Sequence, residues 1–100
     1  MDFGVYSVFD SKSAIYDRVW QAVSDPAAIR SFTDIALDAT HPIGMHPEDY
    51  SLFKVGTWSD ESGEFVNEAP PQLMAKAHEI LRVRSKVEEA TQAVRSVGDA

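Results

Sequence analysis

The chain reads as an α+β domain: a small antiparallel sheet laid down in ββαββα order, with one packed helix and a long C-terminal helix. Three observations predict it. Segments rich in aromatic and β-branched residues come in two pairs, each joined by a polar turn. Two other stretches carry apolar residues at helical spacing. The 100 residues include 44% hydrophobic side chains and ten aromatics, enough for one modest core without any cysteine to staple it.

Phe3 to Phe9 forms the first strand, with both faces apolar and so largely covered, and it stops at the polar cluster Asp10-Ser11-Lys12-Ser13. In residues 14–23, Ile15, Val19 and Val23 alternate with Tyr16, Trp20 and Ala22. This fits a second strand paired antiparallel to the first, with helix as the nearest competitor. Ser24-Asp25-Pro26 opens a helix over about residues 26–38, with Asp25 placed to cap it and Pro26 at the first helical position. Its apolar stripe, Ala28, Ile29, Phe32, Ile35 and Ala36, should lie on the sheet.

Residues 39–49 hold two prolines and a glycine without apolar period, and read as a loop. Tyr50 to Trp58 is a third strand, residues 59–63 a hairpin turn with Gly63 free to take positive φ, and residues 64–67 a short return strand. Pro70-Pro71 closes the sheet region and starts a helix over about residues 71–97. Residues 1–70 and 71–100 are thus two parts of one domain. Leu73, Ile80, Val87 and Val94 recur every seven residues, and Val83, Ala90 and Val97 fill the interleaved positions, Lys76 excepted. Such a helix would be about 40 Å long, more than short strands can cover. Its last third must pair with another chain, as a weak homodimer seam of Ile80, Val83, Val87, Ala90, Val94 and Val97, or else fray or protrude.

Charge is unevenly spread. Residues 1–69 hold four basic and twelve acidic side chains, net −8, whereas residues 70–100 hold five and four, net +1. The total of −7 disfavours a protein that coats nucleic acid nonspecifically. The one basic cluster, Lys76, His78, Arg82, Arg84 and Lys86, is either a solvated helix face or the contact for nucleic acid or a partner. Tyr6, Tyr16, Trp20, Phe53 and Trp58 are either core or, if exposed beside cations, rings on which single-stranded bases stack.

No phosphate loop, nucleophile elbow, zinc-protease motif or cysteine site occurs, so the chain is expected to bind rather than catalyse, without a cofactor. His41, His46, Glu48 and Asp49 could in principle ligate a divalent ion. Each histidine precedes a proline, however, and this points to turn formation with no metal, Glu48 and Asp49 bracing the entry to the third strand. The N-terminal residues lack a basic signal region and no apolar run approaches about 20 residues, so neither secretion nor a membrane is expected.

Four blocks carry a resemblance: Val5 to Lys12, Ala28 to Asp34, His46-Pro47-Glu48-Asp49-Tyr50 continuing to Phe53, and Val55-Gly56-Thr57 leading to Asp60-Glu61-Ser62-Gly63. In this order and spacing, over about residues 5–71, the chain resembles the small nonstructural protein of gokushoviruses, bacteriophages of the Microviridae with single-stranded DNA genomes. It departs from them at Val19-Trp20, where members tend to have Pro-Phe, and at Ser62, often Thr. The resemblance implies a non-enzymatic protein in the cytoplasm of the infected bacterium, absent from the mature virion. It implies a role in DNA replication or packaging through phage or host proteins or single-stranded DNA.

Overall fold

The computed structural model describes residues 1–98, with side chains as far as Ala93. Strand β1 (Asp2–Asp10) is central. Two short strands, β2 (Ile15–Tyr16) and β3 (Trp20–Ala22), pair antiparallel along one edge, and β4 (Tyr50–Ser59) pairs antiparallel along the other. β5 (Phe65–Lys76) continues from β4 through a hairpin. Helix α1 (Asp25–Ala36) crosses over the sheet, α2 (Pro42–Met45) is one turn followed by a 3-10 turn at Pro47–Asp49, and α3 (Ala77–Gly98) ends the described chain. The architecture is α+β, as the periodicity predicts.

The core lies between the sheet and α1. Tyr6 and Leu52 point from neighbouring strands onto Ala28, Phe32 and Ala36, the apolar face of α1, with Ile43 and Ala77 closing the ends. Asp25 does not cap this helix: Ser24 is the cap, its hydroxyl accepting from the Ala27 amide at 3.2 Å. That frees the Asp25 carboxylate for the sheet. Its Oδ1 accepts from the Tyr6 hydroxyl and, at 3.0 Å, from Lys54 Nζ, tying β1, α1 and β4 at one point. Gly4 is required beside it, since a Cβ there would meet the Tyr6 ring.

Three expectations change. The second strand is interrupted: Asp17 turns its main chain toward β1, its amide donating to the Val8 carbonyl at 2.9 Å and its carbonyl accepting from the Ser7 hydroxyl at 2.7 Å. The 39–49 loop contains α2, capped by His41 Nδ1 accepting from the Ile43 amide at 3.1 Å. The third change is the largest: Pro70-Pro71 does not start the last helix, and β5 runs on to Lys76. β5 lies at the edge of the sheet, where a missing proline N–H leaves no partner unbonded. The ladder also breaks around the prolines, with Asn67 opposite Gly56 and the next pairing at Gln72 opposite Lys54. Leu73 and Lys76 therefore belong to the sheet. The hairpin forms over residues 59–63 as predicted, with Gly63 at φ +69° and its amide bonded to the Ser59 carbonyl at 2.9 Å.

Candidate binding surfaces

Alternation along β1 sorts the sheet into two faces. Tyr6 and Val8 face the helices; Phe3, Val5, Ser7 and Phe9 face away. Register carries that second face across the sheet. Phe9 lies opposite Tyr16 and Ser51, Ser7 opposite Phe53, Phe3 opposite Trp58, and Trp58 opposite Phe65. No helix packs there in the described core, so the expectation that both faces of β1 are covered holds for helices on one side only.

The aromatics tile the open face instead. The Phe9, Tyr16 and Phe53 rings pack together at centroid distances of 4.7 to 6.1 Å. Tyr16 reaches Phe53 across the intervening strand at 5.6 Å, which requires the sheet to curl and leaves Ser7 fully buried beneath. Phe65 lies over Gly56, where a Cβ would strike its ring. These rings are only partly covered: Tyr16 is 43% and Phe65 47% exposed. Of the aromatics singled out from the sequence, Tyr6 and Trp20 are in the helix-side core, whereas Tyr16, Phe53 and Trp58 are on the open face. Phe3, Phe9 and Phe65 join them and were missed, because only the register shows which rings share a face.

Charge is segregated by the same register. Among the described residues that the pairing puts on the open face, none is Asp or Glu, while Lys76 lies opposite Ser51 at its corner. Lys12 and Arg18, both exposed, flank Tyr16 in the chain. Acids lie at the edges of this face. Asp2 and Glu64 line a shallow depression with Thr57 and Ser59, and Asp10 and Asp17 line a cleft of about 440 Å³ with Tyr16, His41 and Tyr50. Burial and the nearby carboxylates Asp10, Asp49 and Asp17 push the Tyr50 hydroxyl above its ordinary range.

The loop His46-Pro47-Glu48-Asp49-Tyr50 lies at the end of the β1–β4 ladder. The Asp49 carbonyl accepts from the Ser11 amide at 2.8 Å, and the Asp49 amide donates to the His46 carbonyl at 3.0 Å, so the main chain braces the entry to β4. Donor atoms of His46, Glu48 and Asp49 lie within 4.8 Å of one another, close enough to converge on one ion. His46 and Glu48 are exposed, and nothing buried beneath the three aims a further ligand at that point.

α3 divides the basic cluster. His78, Arg82 and Lys86 follow at four-residue spacing on one exposed file. Arg84 lies off that file and its Nε bonds Glu88 Oε1 at 2.9 Å. The apolar stripe starts on the body: Ile80, Val83 and Val87 border a groove of about 530 Å³ shared with Leu37, just past α1, and Met74 of β5. Val83 and Val87 remain about 60% exposed, and Ala90 is exposed beyond them. The helical backbone continues through Val94 and Val97, whose side chains lie outside the described residues.

The model of the phage ORF5 protein family matches residues 3–80. The chain belongs to that family. No curated protein and no solved structure matches the chain. The family match takes in the sheet from Phe3 onward, α1 and the root of α3, so every ring of the open face falls within it and most of the exposed arm falls beyond it. Among the described residues, no helix is long and apolar enough to cross a membrane.

Proposed function

We propose that this phage ORF5 protein is a non-enzymatic accessory factor of a gokushovirus-like phage, acting in replication or packaging of a single-stranded DNA genome by binding. The observation that carries the reading is the division of the molecule into two uncovered surfaces on one core. One is a carboxylate-free aromatic sheet face; the other is a helical arm with His78, Arg82 and Lys86 in file. Of the titratable groups with displaced pKa values, the Met1 amine, Tyr6, Asp25 and Asp38 are hydrogen-bonded within the fold. Asp25, for instance, is spent on Tyr6 and Lys54. The described carboxylates and histidines therefore resemble braces more than an acid–base pair aimed at a substrate.

The role belongs to the cytoplasm of the infected bacterium, with the protein left out of the finished virion, and phage or host replication and packaging proteins are its further partners. The test is genetic. Phage lacking the gene should accumulate duplex replicative DNA while the ratio of single-stranded to duplex viral DNA falls severalfold, with recovery on complementation. An unchanged ratio would remove the protein from this step.

A second reading is favoured by the half-exposed Val83 and Val87: a homodimeric adaptor joined through α3, without nucleic-acid contact. Light scattering separates the two. A mass of twice 11.1 kDa that returns to one chain in Val83→Ser/Val87→Ser supports the adaptor.

A further inference from the structure

We infer that the open sheet face is a stacking platform for single-stranded DNA, and that the platform, more than the basic arm, makes the contact. The inference rests on the genome role proposed above and deepens it by naming a site and a ligand. A single strand offers unpaired bases, each with a flat apolar surface, on a backbone that needs only a few cations nearby. The face supplies both in a matching layout. One ring group, Phe9, Tyr16 and Phe53, lies at the end near Lys76, with Lys12 and Arg18 exposed on either side of Tyr16 in the chain. The rings of Phe3, Trp58 and Phe65 lie at the other end.

Phe3 and Phe9 are six residues apart on one strand, about 20 Å at the rise of an antiparallel strand. That length suits the two or three bases that aromatic sheet platforms hold in other single-strand binders. Curling of the sheet helps, since it presents the rings around a concavity. Tyr16 and Phe65, on the flanking strands, are nearly half exposed and free to cover a base.

Charge decides against the more obvious arm. Arg84 is held by Glu88, and Glu89, three residues beyond Lys86, lies beside the end of the file of His78, Arg82 and Lys86. The face, by contrast, carries no carboxylate among its described residues although the chain as a whole is −7. Asp10 and Asp17 border Tyr16 at one edge, so ring stacking more than charge makes the contact. A protein partner on this face would be an alternative occupant, but it would not select for unstacked bases.

The experiment titrates the full chain with a fluorescein-labelled thymidine oligonucleotide of about 15 nucleotides and with a duplex of equal length. Anisotropy reports binding and indole emission reports stacking. Single strand should bind at least tenfold tighter than duplex. Emission should fall in Trp20→Phe, where Trp58 is the sole indole, and stay level in Trp58→Phe. Tyr16→Ala and Phe65→Ala should each weaken binding about fivefold or more, the lower end for one lost base stack. Arg82→Glu/Lys86→Glu should change it less than threefold. Equal affinity for duplex, an unquenched Trp58, or loss of binding only in the arm variant would overturn the inference. Oligonucleotide binding with an unchanged viral DNA ratio leaves the site standing and removes the genome role. A shifted ratio without oligonucleotide binding does the reverse.

Discussion

Replacing Tyr6 by Phe isolates the contact that ties three elements together. Tyr6 is fully buried, and its hydroxyl donates to Asp25 Oδ1, which also takes Lys54 Nζ at 3.0 Å. The change keeps the ring and its packing on Trp20 at 6.1 Å, so the loss is confined to one hydrogen bond to a charged acceptor. Such bonds contribute about 1.5–3 kcal/mol. The Asp25 side chain is 41% exposed and can recover water, which discounts the loss to about 1–2 kcal/mol. For a domain of this size that is a fall of roughly 4–16 °C in Tm.

The pH dependence gives the sign. Tyr6 first, and Lys54 second, lower the Asp25 pKa in the folded state. A carboxyl depressed on folding contributes stability above its unfolded pKa of about 3.9 and loses it as pH falls through the folded value. The Tyr6→Phe penalty should therefore be full at pH 7 and smaller at pH 3, as urea unfolding at the two pH values will show. An equal penalty at both, or none at pH 7, would refute the assignment of Asp25 as the charged acceptor.

Other substitutions probe the remaining parts. Ser24→Ala should cost about 1 kcal/mol by removing the α1 cap, and Asp25 should not compensate because it is engaged elsewhere; urea midpoints at pH 7 measure it. Phe32→Ala removes a ring that is 1% exposed and should cost about 3–5 kcal/mol, enough to leave a 100-residue domain largely unfolded on warming in circular dichroism. Gly56→Val should cost about 1–3 kcal/mol, because the added carbons collide with the Phe65 ring and the Val66 carbonyl; calorimetry reports the Tm. Val87→Ser should change stability by less than about 0.5 kcal/mol if the arm is unpaired, and a larger, concentration-dependent loss would show that it is packed on a second copy.

Much of this fold can be read from residue order because local chemistry and tertiary structure agree. Val5 to Phe9 and Leu52 to Val55 have the β-branched and aromatic content of strands, and Ala28, Phe32 and Ala36 have the spacing of a buried helix face. Residues 59–63 have a turn that only glycine enters easily at its last position. The misreadings occur where two signals compete. Pro70-Pro71 is a strong strand stop in a central strand and a weak one at an edge, and position in the sheet is not written in the local sequence. Ser24 and Asp25 are both good caps, and the choice between them is made by Tyr6, nineteen residues away in the chain.

The candidate surface was the least legible feature. Which aromatics share a face depends on irregularities in the β1–β4 and β4–β5 ladders, where one residue of shift moves a ring to the other side. The basic cluster was easy to see as a run and misleading as a surface, since the helical turn separates Arg84 from His78, Arg82 and Lys86.

The most direct test of the central claim is an NMR titration of the isotope-labelled chain with an unlabelled thymidine oligonucleotide, following amide and aromatic resonances. The account predicts shifts concentrated at Phe9, Tyr16, Phe53, Trp58 and Phe65, with α1 and residues 82–93 of α3 nearly unmoved. Shifts confined to α3, or none at low salt, would contradict it.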